Sequence, residues 1–160
     1  MPKPKAGDLS SATYQALAEF RYQIRRFLHF SETAARKVGL EPQQHQLMLA
    51  VKGASSGQEP RVAYLAERLQ IQHHSAVELV DRLAAKGLIH RVRGQQDRRE
   101  VHVKLTARGE RVLGRLTIDM RTELQTAAPG LVAVLKNVMR YTNSKNAANS
   151  RAENLGEVIL

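Results

Sequence analysis

The chain has 160 residues and carries 25 lysines and arginines against 15 acidic residues, for a net charge of +10 and a pI near 10.4. Hydrophobic residues make up 42% of it, which is ordinary for a globular protein and excludes wholesale disorder. It contains no cysteine, so disulfides, thiolate metal sites and thiol-based redox sensing are excluded. This basic balance predicts an anionic partner, and nucleic acid is the first candidate.

The beginning of the sequence is basic and carries no apolar segment behind its charges, so a signal peptide is not expected. Residues 1–8 are predicted to form a flexible arm. No stretch of the chain approaches the roughly 18 apolar residues of a membrane span. We therefore expect a cytoplasmic protein that does not associate with a membrane.

The first predicted element is a long helix over residues 10–38. Apolar residues such as Leu17, Phe20 and Ile24 recur there at three- and four-residue steps. A helix of that length spans about 40 Å, longer than most small domains need. It could be a single long core helix, or it could leave its own domain and pack against a second subunit.

A second helix is predicted to begin at Pro42, because proline suits the first turn of a helix, and Gly39 separates it from the first. After a polar loop at 53–60, apolar residues at helical spacing predict two short helices that meet at the turn Gln70–His73. That is a helix-turn-helix pattern, whose second helix can lie in a DNA major groove.

Two strands and a loop follow the helix-turn-helix. Gly87 is suited to end the second helix, and residues 88–93 and 100–105 then alternate apolar with polar side chains, as half-buried strands do. The polar segment 94–99 connects them as a hairpin, which completes a winged helix. His90 and His102 are expected to face each other or solvent.

The C-terminal part is predicted to hold two more helices. Thr106 is a good N-cap for a helix that runs to about Ala127, and Pro129 is predicted to begin another that runs to about residue 142. The segment that follows is polar and rich in Asn and Ser, and it is predicted to be a loosely held tail over 143–160.

Several motifs in order resemble the MarR family of winged helix-turn-helix transcriptional regulators. These are Leu65-Ala66 with Leu69, Val80-Asp81-Arg82-Leu83 with Lys86-Gly87-Leu88, Asp97-Arg98-Arg99, and Val103-Lys104-Leu105-Thr106 with Gly109. The resemblance implies that residues 42–106 form the DNA-binding region and that 10–38 and 107–142 form dimerisation helices. The expected fold class is mainly α, with a two-stranded wing.

The wing arginines are the strongest candidates for contact with DNA. Guanidinium groups suit phosphates and narrow minor grooves. The resemblance implies that Arg99 enters the minor groove and that Asp97 braces it, with Arg98 as a phosphate contact. Arg91 and Arg93 on the preceding strand are further candidates. A solvated charged turn is the alternative.

The second helix of the helix-turn-helix supplies a further set of candidates. Its beginning favours phosphate, Ser75 could bind a phosphate or a base edge, Val77 could contact a thymine methyl, and Glu78 could accept from a cytosine amino group. Glu78 would otherwise repel phosphate. Arg82 could contact phosphate or pair with Asp81 or Glu78. The candidates on this helix are His73, His74, Ser75, Val77, Glu78 and Arg82.

Other functions have weaker support in the sequence. The resemblance implies a small aromatic effector, for which Tyr22, Arg26, His29 and His45 could line a pocket, although each could equally be a surface or core residue. The pairs His29/Glu32 and Glu41/His45 have the spacing of paired metal ligands but lack a third, so we expect neither metal nor cofactor. No catalytic motif is present, and an enzyme is not expected.

The sequence therefore predicts a sequence-specific DNA-binding regulator, a homodimer that occupies a pseudo-palindromic operator in double-stranded DNA. The resemblance implies a repressor that responds to a ligand. The alternative is a basic architectural protein with the same fold and little preference for sequence.

Overall fold

The computed structural model describes residues 10–54, 60–94 and 100–156, and the side chains among them up to Met139. It confirms a mainly α fold that contains a winged helix-turn-helix. The elements in order are α1 (Ser11–Lys37), α2 (Pro42–Lys52), α3 (Val62–Leu69), α4 (His73–Ala85), β1 (Ile89–Arg93), β2 (Val101–Leu105) and α5 (Ala107–Gly156). None of the helices in the described ranges combines the length and apolar composition of a bilayer span.

Glycine and proline set the predicted ends of the early helices. Gly39 follows α1 with φ +77°, and Gly87 follows α4 with φ +66°, both in the left-handed region that favours glycine. Pro42 is the first residue of α2, where its missing N–H costs no hydrogen bond. Gln70 between α3 and α4 also has a positive φ, +55°, which its side chain supports by donating from Nε2 to the Glu67 carbonyl at 2.8 Å.

The chain divides into two units, and residues 30–121 form one of them. Its core is the winged helix-turn-helix, where α2, α3, α4 and the strands pack together. The side chains that are most completely buried come from several elements, and they are Leu47, Met48, Leu65, Val80, Leu83, Val103 and Leu116. The helical spacing of the apolar residues thus identified the faces that α3 and α4 bury.

The wing is an antiparallel pair in which Ile89 lies opposite Leu105 and Arg93 opposite Val101. The alternation of buried and exposed side chains is imperfect, because His102 and Val103 are both buried. His102 pairs with Val92 in register and not with His90, so the expectation that the two histidines face each other or solvent is wrong for His102. A bridge from Arg61 to His102 covers the outer edge of β2, which explains the burial.

The beginning of α5 is held against the segment that follows α4. Thr106 caps the helix, since its Oγ1 accepts from the Gly109 amide at 3.0 Å and also donates to the Gly87 carbonyl at 2.8 Å. The Thr106 amide donates to the carbonyl of Leu88 at 3.0 Å. Gly109 is buried at this contact, and a Cβ built on it would lie 2.0 Å from the Leu88 oxygen.

The C-terminal helices differ from the prediction. Where a second helix was expected to begin at Pro129, α5 continues through the proline, and it also continues through most of the predicted tail to Gly156. A proline inside a helix removes one N–H from the helical ladder and crowds the carbonyl four residues earlier, so it can kink a helix without ending it. The spacing of the covered residues Leu131, Val134 and Val138 continues that of Ala127 without a break, so one face of a single helix carries them all.

The second unit comprises the part of α1 up to His29 and the part of α5 from Thr122 onward. Ala16 and Ala127 are its buried apolar residues among the described side chains. Arg26 on α1 lies 3.9 Å from Glu123 on α5. Many of the large apolar side chains in this unit are exposed, which is unusual for a helix pair.

Candidate nucleic-acid interface

α4 has one buried and one exposed face, and the sequence pattern fixes which is which. Ala76, Leu79, Val80 and Leu83 are buried in the core of the winged helix-turn-helix. The candidates His73, His74, Glu78 and Arg82 are exposed, while Ser75 and Val77 are half-buried. The face with the predicted base-contacting residues is therefore mostly exposed. Only part of the Val77 side chain is accessible to a thymine methyl.

The N-terminus of α4 exposes main-chain donors. Its first helical hydrogen bond runs from the Ala76 amide to the Gln72 carbonyl at 3.1 Å. The amides of the three preceding residues, His73 to Ser75, have no partner inside the helix, as at any helix start. Together with the helix dipole they favour an anion such as a phosphate group.

Ion pairs hold Arg82 and Arg91 next to the exposed face of α4. Arg82 Nη2 lies 3.2 Å from Glu78 Oε2, and Arg91 Nη1 on β1 lies 2.6 Å from Asp81 Oδ1. Arg82 is therefore paired with Glu78, which is one of the alternatives that the sequence left open. The Asp81–Arg91 pair brings the exposed side of α4 against the exposed side of β1, so the helix and the wing form one continuous surface.

The wing strands expose basic side chains. His90, Arg93 and Lys104 are all exposed, and His90 lies opposite Lys104 in the pair. The amide of Gly94 donates to the Glu100 carbonyl at 2.8 Å, which joins the two ends of the hairpin loop. Asp97, Arg98 and Arg99 lie outside the described residues, and their roles remain predictions.

Two contacts of this region were missed by the sequence reasoning. Arg61 Nη2 lies 2.9 Å from Glu100 Oε1, and Lys86 Nζ donates to the Gly39 carbonyl at 2.7 Å. Each contact joins residues about 40 or more positions apart. No spacing rule within one element could have found them.

The residues proposed to line an effector pocket belong to different parts of the chain. Tyr22, Arg26 and His29 are exposed on the first part of α1, and Arg26 faces Glu123. His45 lies in the winged-helix unit and is only 2% exposed. Among the described side chains no group of three or more His, Asp or Glu residues could hold a metal ion.

Burial lowers the pKa of His45 below its ordinary value of 6.5. As the pH falls through 6.5, the unfolded chain takes up a proton at this position and the folded chain resists it. Stability should therefore fall with pH from about 6.5 downward, with a slope of up to about 1.4 kcal/mol per pH unit. Urea unfolding at pH 7.5 and 5.5, at one protein concentration, should show a smaller loss for His45→Gln than for the parent. Equal losses would contradict this assignment.

The comparisons with known proteins agree with this geometry. The family model described as MarR family matches residues 38–100. AbsC, a MarR family transcriptional regulator from Streptomyces coelicolor, is 19% identical over 93% of this chain and 97% of its own, with a TM-score of 0.65. A MarR family protein from Bacillus stearothermophilus is 17% identical over 87% and 99%, also with a TM-score of 0.65.

A third similar structure contains DNA. It is a mutant of MepR from S. aureus bound to an oligodeoxyribonucleotide, 20% identical over 85% of this chain and 96% of its own, with a TM-score of 0.55. No curated protein sequence matches the chain. At these identities the structures show a shared fold, and the family model supplies the match in sequence. The chain has the fold of the MarR family transcription regulators, and its residues 38–100 match the sequence model of that family.

Proposed function

We propose that this protein is a sequence-specific DNA-binding transcription regulator that acts as a homodimer and represses by occupying its operator. The observation that carries the proposal is the Asp81–Arg91 contact of 2.6 Å, which joins the exposed face of α4 to the basic wing. A surface of that kind can enter a major groove with the helix and reach the neighbouring minor groove with the wing. The similar structure of a MepR mutant contains a bound oligodeoxyribonucleotide, which supports DNA binding as the function.

The contacts with DNA fall into two classes. The α4 N-terminus with His73 and His74, and the wing with Arg93, Arg98 and Arg99, would contact phosphates and groove walls. Ser75 and Val77 would read base edges. Two copies of this surface on a dimer would meet successive major grooves of a pseudo-palindrome, which prevents other proteins from using that DNA.

The test of sequence specificity is selection from a pool of random DNA. The proposal expects enrichment of a pseudo-palindrome whose half-sites are about 10 base pairs apart, one helical turn. Retention of the pool without any enriched sequence would instead indicate an architectural binder. Failure to retain DNA at all would remove both interpretations.

Homodimer formation is supported by apolar surface on the second unit. Seven of the large side chains described there are 40–57% exposed, and they are Tyr14, Leu17, Tyr22, Leu124, Val132, Leu135 and Met139. Isolated apolar residues on a surface are ordinary, but this many on two helices would be covered in a dimer. We propose that residues 10–38 and 107–142 supply that interface.

Sedimentation at micromolar concentration should show a dimer. The double variant Val132→Glu/Leu135→Glu should shift it to monomer, because each change places a charge in an apolar contact. Leu49→Glu is the matched control: Leu49 is 45% exposed on α2 in the winged-helix unit, so this variant should remain dimeric. A parent that sediments only as a monomer would overturn the proposal.

Glu78→Ala should tighten binding to DNA of every sequence. The substitution removes a carboxylate from the exposed face of α4 and releases Arg82 from its 3.2 Å pair, so that the arginine can reach a phosphate. One added phosphate contact in each subunit would steepen the salt dependence by about one per contact. Glu67→Ala on α3 removes the same charge from a residue that forms no ion pair with an arginine among the described contacts, and it serves as the control. Weaker binding together with a changed preference at one base pair would show instead that Glu78 reads a base.

A ligand response is a separate part of the proposal. Tyr22, Arg26 and His29 offer exposed aromatic and basic groups on α1, which suit an aromatic acid. His45 is buried in the other unit and would take part only if the ligand reached that core. Calorimetry with a panel of aromatic acids tests the idea, and the absence of heat across the panel would remove these acids as effectors.

A further inference from the structure

Glu100 stands at the base of the wing and is held from two sides. Its Oε1 lies 2.9 Å from Nη2 of Arg61, the residue just before α3, and its Oε2 lies 3.5 Å from Nε2 of the buried His102. The carboxylate is partly covered, with 32% of the side chain exposed. An acidic residue in this place is unexpected, because it directly follows Arg98 and Arg99 in a surface proposed to bind a polyanion.

Main-chain hydrogen bonds also hold the residues around Glu100 in place. Its carbonyl accepts from the Gly94 amide at 2.8 Å, so the residues on either side of segment 95–99 are joined. Further along β2, the Val103 amide donates to the Pro60 carbonyl at 2.9 Å, and Arg61 bridges to His102. The Arg61–Glu100 ion pair therefore lies at one end of the contact between the wing and the residues just before α3.

We propose that Glu100 is a positioning residue for DNA binding: through Arg61 and His102 it holds the beginning of β2, and with it the wing, beside the start of α3. This inference rests on the proposed function. It assigns to Glu100 no contact with DNA. Its contribution is to keep the wing strands aligned with the helix-turn-helix. Preorganised contacts bind more tightly because less ordering is needed on association.

The proposal and simple electrostatics make opposite predictions for the removal of this carboxylate. Removal of a negative charge beside a phosphate-binding surface should by itself tighten binding to DNA. Removal of a positioning residue should weaken it. For Glu100→Ala the proposal expects affinity for the selected operator to fall about fivefold, the size of effect that a partly exposed ion pair can have. The slope of log affinity against log salt should become shallower, because the wing arginines would neutralise fewer phosphates.

Glu110→Ala is the matched control. It removes the same charge and also breaks an ion pair, with Lys52, but that pair joins α2 to α5 and includes no residue of the wing. It should bind the operator as tightly as the parent or more tightly. Thermal unfolding of both variants, followed by circular dichroism, checks that they fold, and since both carboxylates are solvent-accessible only small changes are expected.

The role of Arg61 is tested by a double-mutant cycle on affinity for the operator. Arg61→Ala, Glu100→Ala and the double variant should show coupling, because Arg61 contributes to positioning only while Glu100 is present. The double variant has the parent's net charge, so its weaker binding would not be an effect of charge. Additive losses, or a Glu100→Ala variant that binds as tightly as the parent or more tightly, would overturn the proposal. If the parent itself does not bind DNA, it is the proposed function that fails.

Discussion

Gly109→Ala should strongly destabilise the folded protein. A methyl group at this position would lie 2.0 Å from the Leu88 carbonyl oxygen and 3.0 Å from its carbon, and the first of these distances is far below what real Cβ atoms show. Both atoms are main chain, and both sit where Thr106 already anchors α5 by hydrogen bonds to Gly87 and Leu88. The start of α5 would have to move away and break those bonds.

We expect a loss of about 3 kcal/mol or more in the free energy of unfolding, since overpacking against a fixed main chain is at the upper end of such effects. In a chain of this size that corresponds to a fall in Tm of roughly 6–12 °C. Gly114→Ala is the control, because it lies on the same helix with nothing within 4 Å of its added Cβ. It should stabilise by up to about 1 kcal/mol, the difference in helix propensity. Equal Tm values for the two variants would contradict the close packing of Gly109.

The affinity for DNA should depend steeply on salt. Residues 61–111 carry 11 basic and 6 acidic side chains, and the exposed wing strands place Arg93 and Lys104 outward. A dimer that makes about six phosphate contacts would lose on the order of a thousandfold in affinity between 50 and 200 mM salt. Binding that hardly changes over this range would contradict the proposed basic surface.

Two variants locate the source of that salt dependence. Arg93→Ala should make the slope shallower by about one for each phosphate that is no longer neutralised, hence by about two in a dimer. Lys136→Ala removes an exposed charge from α5 in the other unit and should leave the slope as it is. Equal slopes for the two variants would show that the wing strand takes no part.

The elements that the sequence predicted well are those with local signals. Gly39 and Gly87 adopt the positive φ that glycine favours, Pro42 begins α2, and the apolar spacing identified the buried faces of α3 and α4. Thr106 caps α5 as its side chain allows. Each of these features depends on residues within one or two helical turns, so a spacing rule can detect it.

The features that escaped prediction depend on distant contacts or on competing local signals. Pro129 was expected to separate two helices, yet the apolar face runs through it unbroken and one helix results. His102 is buried because Pro60 and Arg61, some 40 positions earlier, cover the edge of β2. The partners of Arg91 and Glu100 follow from how α3, α4 and the strands pack, which no single element specifies.

The central claim is that this surface recognises a particular DNA sequence. Its most direct test is the affinity of the parent protein for the selected operator and for a shuffled duplex of equal length and composition, both at about 150 mM salt. We predict that the protein binds the operator at least about a thousandfold more tightly than the shuffled duplex, which is within the usual range for specific recognition. Equal affinity for the two duplexes would contradict it and would leave only a basic protein that binds DNA of any sequence.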